Sequence, residues 1–257
     1  MKRIVFLIAM VCMAWVGARA QDSQLVRTEF EGKGITGLAV SSAWDVTVRQ
    51  GKETGARIEF PERFEKNIVF SLGADGVLRI GLKGKIKGHR KGEVFKAEVV
   101  CNSLEQVKLS GACDLKGEGD FTGRRASLDL SGAGDVVFEG KWVLEESLQI
   151  VSSGAGDVKI EGLEVPSLVL KSSGASDVKA CGKVEEGHFE VSGASEVDFR
   201  DVAVQRAYVD LSGAAGIRLH TTELISGKAS GASSLKYAGS PVVEVKVSGA
   251  VDLRHLR

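Results

Sequence analysis

The chain has 257 residues, with 34 Lys and Arg set against 34 Asp and Glu, 32 Gly and only 3 Pro. A formal charge of zero argues against a nucleic-acid binder, which needs a cationic surface to displace counterions. The length suits one large domain or two small ones, and abundant glycine with few aromatic residues points to many tight corners and few bulky anchors.

The chain opens "MKRIVFLIAMVCMAWVGARAQDS". Lys2 and Arg3 precede an apolar run from Ile4 to Val16 that is short for a bilayer span, and Ala18-Arg19-Ala20 supplies an A-x-A signal. This pattern reads as a secretory signal peptide, residues 1–20, cut after Ala20. Cys12 offers a lipoprotein alternative, but hydrophobic sequence continues beyond it and no small residues precede it. Loss of Lys2, Arg3 and Arg19 leaves 31 bases against 34 acids, a mildly acidic exported protein of the periplasm, the outer-membrane surface or the medium. No later segment approaches the apolar length of a membrane span. Cys101, Cys113 and Cys181 remain; an odd number without a CxxC or Cys/His cluster is expected to behave as small buried hydrophobes.

Residues 21–100 form a β-rich N-terminal part. "AVSSAWDVTVRQG" predicts strand, corner and strand, with Trp44 either a rung residue inside or an exposed contact residue. "ARIEF" is a strand, "PERFEKNIV" a turn with one helical turn begun by Pro61, and "ADGVLRIGL" a hairpin-like element. "KGKIKGHRKGE" follows, then the strand "VFKAEVVC". Its Lys83, Lys85, Lys87, His89, Arg90 and Lys91 are the one concentration of charge in the chain. They make a solvated loop or a contact for anionic polysaccharide, lipid headgroups or an acidic protein.

Residues 101–257 repeat. A Ser-Gly core recurs at Ser110, Ser131, Ser153, Ser173, Ser192, Ser212, Ser230 and Ser248, at spacings between 18 and 22 residues. Within a copy such as "SLDLSGAGDVVFEG" the hydrophobic residues alternate, so strands flank a glycine corner. Glu139-Gly140, Glu161-Gly162 and Cys181-Gly182 mark a second corner. Helical repeats are longer than this period, and the spaced Leu/Asn pattern of leucine-rich repeats is absent. About eight coils of a parallel β-helix fit, each coil stacked on the last, with Ser and Gly forming ladders where only small residues let coils lie close. The last copy, "VSGAVDLRHLR", stays β-like, so charge at Arg254, His255 and Arg257 together with partial self-association through coil ends is expected to protect the final edge.

An acid follows most corners: Asp114, Asp135, Asp157, Asp177 and Glu196; Gly216 and Ser234 interrupt, and Asp252 restores it. By parity these acids face outward, and a local backbone role at the turn is the favoured reading. The alternative is calcium shared by Asp135, Asp157 and Asp177, but a calcium β-roll repeats every nine residues or so and Lys116, Lys159 and Lys179 stand ready as neutralisers.

The segments "SSAWDVTVRQG", "DGVLRIGL" and "SLEQVKLSGACDL" and the later Ser-Gly-x-x-Asp-Val copies resemble the putative auto-transporter adhesin, head GIN domain family of exported bacterial proteins. The name-giving Gly-Ile-Asn is here Ala43-Trp44-Asp45. The resemblance implies a right-handed parallel β-helix in the envelope or outside the cell, and it transfers no catalytic residues.

His89, His188, His220 and His255 have no metal-ligand partner at helical or strand spacing, and no G-x-S-x-G elbow accompanies the many serines. The expectation is a non-catalytic scaffold, without cofactor, that binds a glycan, lipid headgroup or protein. The alternatives are a polysaccharide lyase or hydrolase, whose acids the ladder would bring close together, and a lipid- or lipopolysaccharide-binding protein.

Overall fold

The computed structural model describes residues 25–31, 34–84 and 93–256. The signal-peptide segment 1–20 and Lys85, Lys87, His89, Arg90 and Lys91 lie outside the described residues.

The first strands in chain order are β1 (Leu25–Glu31), β2 (Gly37–Ser42), β3 (Asp45–Gln50) and β4 (Gly55–Pro61), then a 3₁₀ turn over Glu62–Asn67. Next come β5 (Ile68–Leu72), β6 (Val77–Leu82), β7 (Lys96–Cys101), β8 (Gln106–Gly111), β9 (Asp114–Glu118) and β10 (Phe121–Leu130). The long bent strands are β11 (Val136–Ser152), β12 (Val158–Gly174), β13 (Asp177–Gly193), β14 (Glu196–Leu211) and β15 (Gly216–Gly231), followed by β16 (Ser234–Ala238), β17 (Val242–Gly249) and β18 (Asp252–His255). All belong to one sheet, and from β8 onward every pairing is parallel, coil on coil. The protein is a parallel β-solenoid of about eight turns.

Stacking dictates the corner. Gly132 lies on Gly111, Gly154 on Gly132, and so on through Gly174, Gly193, Gly213 and Gly231 to Gly249; a Cβ on Gly154 would sit 1.8 Å from the Gly132 carbonyl oxygen. No side chain fits that approach, which is why glycine recurs once per coil. The amide of the following alanine donates to the glycine carbonyl of the coil before, as Ala155 to Gly132 at 2.9 Å and Ala232 to Gly213 at 2.9 Å. Ser42 heads this ladder at φ 89°, the one described non-glycine residue in the left-handed region.

The N-terminal strands do not stack in chain order. β2 lies between β6 and β8, and β3 between β7 and β9. The coil made by β2 and β3 is thus inserted between coils that follow it in sequence. Beyond β7 the pairing turns antiparallel, to β4 and then β1, and β5 pairs antiparallel with β6. These strands close that end of the rod.

The interior is largely apolar, with buried Ser152 and Ser172 each hydrogen-bonded to Ser176. Phe121, Phe138 and Trp142 form one aromatic cluster, with Phe138 and Trp142 centroids 4.1 Å apart, and Phe189 meets Phe199 edge-on at 5.4 Å. Cys101 and Cys113 are buried and Cys181 is half-buried, all as free thiols; burial pushes the Cys101 thiol up to about 11.

Candidate functional site

Each coil pairs in three runs, as at 136–138, 141–143 and 147–152, and two of the outer faces they make carry the candidate groups. The acid face carries the segments after the glycine corner. Its ladder runs Asp45, Asp114, Asp135, Asp157, Asp177, Glu196. The Asp114 carboxylate accepts the Asp135 amide at 2.9 Å, Asp135 accepts from Asp157 at 3.0 Å, and Asp157 from Asp177 at 2.9 Å. Each acid therefore pins the next coil through its backbone; the bond runs between coils, not within the acid's own turn as the turn chemistry suggested. Lys116 and Lys159 are engaged away from these acids. Lys116 bridges Glu118 at 3.2 Å and Glu139 at 3.0 Å, and Lys159 pairs with Glu161 at 2.8 Å. Among the described residues no group of three or more His, Cys, Asp or Glu is placed to hold a metal.

Trp44 is a correction to its reading as a contact residue. It is 1% exposed and packs edge-on against Phe95 at 5.3 Å. It occupies the inward position before the acid, the slot that Cys113 fills one coil on. A ligand cannot reach it. Lys83 is exposed at the end of β6, with its amide donating to the Asn67 carbonyl at 2.7 Å.

The groove face carries the segments that lead into the glycine corner. Two outward ladders run along it. One passes through Val169, His188, Tyr208 and Ser226, the other through Lys171, Glu190, Asp210 and Lys228. Between them lies a groove of about 480 Å³, floored by the backbone of Phe189, Val209 and Gly227. Its first wall is aromatic: His188 and Tyr208 stack at 4.7 Å with planes 14° apart. The second wall is made of ion pairs, Lys171 with Glu190 at 2.7 Å and Lys228 with Asp210 at 3.0 Å. The stack ends at Ser226 and Gly227, where small residues leave the Tyr208 ring open to the groove.

The aromatic wall is fixed from behind. His188 Nε2 lies 2.9 Å from Glu186, and Arg206 reaches both Glu186 at 3.5 Å and Glu223 at 3.4 Å. The His188 hydrogen bond, with help from Arg206, holds the Glu186 carboxyl below its ordinary range. A second hollow of about 430 Å³ lies further along the same face, between Arg79, Lys108, Asp129 and Ser110. Both hollows thus open on one side of the rod, along its length.

Sequence reasoning placed His188 on the surface and missed its partner. The signal was the coil period: His188 and Tyr208 are one coil apart, as are Tyr237 and His255, which stack at 5.1 Å.

A parallel β-solenoid with a longitudinal groove, and with its repeated acids and serines engaged in stacking, is the class of protein these features define. The chain belongs to the family described as putative auto-transporter adhesin, head GIN domain, which matches residues 34–241. No curated protein matches. Among solved structures, a putative lipid binding protein from Parabacteroides distasonis is 17% identical with a TM-score of 0.83, covering 91% of this chain and 97% of that one. A putative adhesin from Parabacteroides merdae is 18% identical with a TM-score of 0.74, covering 91% and 97%. A putative adhesin from Bacteroides fragilis is 18% identical with a TM-score of 0.68, covering 91% and 98%. These likenesses concern the fold.

Proposed function

We propose that the chain is an exported, non-catalytic scaffold of adhesin type that holds a linear glycan along its groove face. The stacked His188–Tyr208 pair carries this reading. An aromatic wall facing a wall of Lys–carboxylate ion pairs is a combination that grips a sugar ring, apolar face to ring and hydroxyls to the charged groups. The second hollow on the same face favours an extended ligand over a compact one, since coils repeat at about 4.8 Å and a polymer can follow them. Membership of an adhesin family fits a surface or exported protein.

A non-catalytic role is favoured by the state of the candidate groups. Asp135 and Asp157 accept backbone amides of the next coil, and the corner serines donate to carbonyls of the coil before, as Ser131 to Leu109 and Ser230 to Leu211. Groups held this way are scaffold parts.

The test is a glycan array followed by calorimetry on the hits. Binding should weaken about tenfold or more in Tyr208→Ala and in Glu190→Gln with Asp210→Asn, with unchanged thermal stability. Turnover of a glycan, lost in Asp135→Ala with Asp157→Ala, would instead establish an enzyme. The likeness to a protein named for lipid binding makes anionic vesicles the second arm. Salt-sensitive vesicle binding, lost when Lys83, Lys85 and Lys87 become Gln, would move the site to the basic segment.

A further inference from the structure

At the far end of the rod, β17 pairs with β15 along one edge only, and no described residue pairs with the other. The core is open there. Val247 is 48% and Leu253 38% exposed, although Ala229 and Leu235, one coil below them, are fully buried. An eight-residue strand with a free edge and apolar side chains at that edge is a template for another strand.

The direction of the free backbone groups follows from the ladder. The amides of Ser131, Ser153 and Ser212 donate to the coil before, and so does that of Ala250. Ser248 stands in the same ladder, so it and its same-parity neighbours Lys246 and Glu244 point back at β15. Val243, Val245 and Val247 therefore aim their N–H and C=O groups outward, unpaired.

The strand reads Val243-Glu244-Val245-Lys246-Val247, and about Val245 it is its own complement. An antiparallel copy centred there sets Val245 against Val245, Val243 against Val247, and Glu244 against Lys246. Every outward N–H and C=O of the three valines then finds a partner in the other copy. The valines stay on the core side of both chains, since antiparallel pairing with this register preserves parity. Glu244 and Lys246, both exposed, fall in the non-hydrogen-bonded pairs where side chains come closest.

We propose that this edge docks a second copy of the chain, forming a twofold end-to-end dimer through β17. The dimer continues the sheet from one rod into the other and covers Val247. It leaves the groove faces of both copies free, so the assembly presents two grooves.

Charge reversal tests both the contact and its register. Light scattering across a concentration series should show a monomer–dimer equilibrium for the native chain. Glu244→Lys sets lysine against Lys246 twice per dimer, and Lys246→Glu sets glutamate against Glu244 twice. Each should weaken the dimer roughly tenfold or more. The double reversal Glu244→Lys with Lys246→Glu should restore it. Both side chains are exposed, so thermal melts should coincide at concentrations where every form is monomeric. A monomer at every concentration overturns the proposal, as does a dimer indifferent to both single reversals. Failure of the double reversal to restore a weakened dimer overturns the register. Val245→Pro, which removes an outward N–H from an edge strand while leaving the bonds to β15, should abolish the dimer; a dimer that survives it also overturns the proposal.

Discussion

Ser42 occupies a position that eight later coils give to glycine, and it does so at φ 89°. A side chain in the left-handed region costs about 1–2 kcal/mol, partly offset by the extra freedom glycine has when unfolded. Ser42→Gly should therefore stabilise the protein by roughly 0.5–1 kcal/mol, read as a rise in the denaturation midpoint. The opposite change inside the ladder has the opposite sign. Gly154→Ala would drive a methyl group to 1.8 Å from the Gly132 oxygen, and neither backbone can yield without parting two coils. A loss of about 3 kcal/mol or more is expected in the same assay. A tolerated alanine at 154 would mean that the coils are not in contact at this corner.

The acids make the comparison at the scale of the strand pair. Asp157 accepts the Asp177 amide between β12 and β13, so Asp157→Ala removes the acceptor and leaves an amide to find water. A cost of about 1–2 kcal/mol is expected, with Asp157→Asn losing less because the amide oxygen still accepts. Added calcium should leave the melting temperature unchanged in both; a calcium-dependent rise present in the native chain and absent in Asp157→Ala would revive the cation reading. The strands themselves were legible in the sequence because stacking demands a small residue at one corner of every coil, and Gly111 to Gly249 register that demand directly. The groove was not. Stacking of unlike residues, His188 on Tyr208, leaves no repeated letter, and its small neighbours Ser226 and Gly227 look like any other outward position. Trp44 was ambiguous because its bulk matches nothing in the slot filled later by Cys113, Ser176 and Ser195, and only the register with β9 shows that it points inward. The insertion of β2 and β3 between later coils was equally hidden, since β6 and β7 carry no Ser-Gly corner to align with the rest.

Over the whole molecule, exposed ion pairs set the response to acid. Hydrogen bonding to Arg79 holds the Asp75 carboxyl down from 3.8 to about 2. Arg49 lowers Glu118, Arg125 lowers Glu146, His188 lowers Glu186, and Arg200 lowers Asp198. A carboxyl whose pKa falls on folding stabilises the native state above its unfolded pKa, and the contribution is lost as pH drops through the folded value. The melting temperature should therefore hold above about pH 5 and decline toward pH 2. Each pair is solvent-exposed, so salt should flatten the decline. A melting temperature that rises on acidification would contradict the assignment of these carboxyls to the folded state's favour.

The threaded position of β2 and β3 gives the rod a direction of disassembly. A coil at a free end can peel away, because it is held on one side only. The coil of β2 and β3 is clasped on both sides, by β6 and β7 and by β8 and β9, so the chain's early segment cannot be drawn out until a later one lets go. On the ribosome the same geometry imposes a delay: Ser42 waits for Gly111, and Asp45 for Asp114, before its neighbours exist. In the monomer, wear should accordingly begin at β17 and β18 and travel inward. In native-state hydrogen exchange of the monomer the amides of β18 and the outer coil should open first, those of β2 and β3 among the last, and the order should hold even though β2 and β3 were synthesised more than two hundred residues earlier than β18.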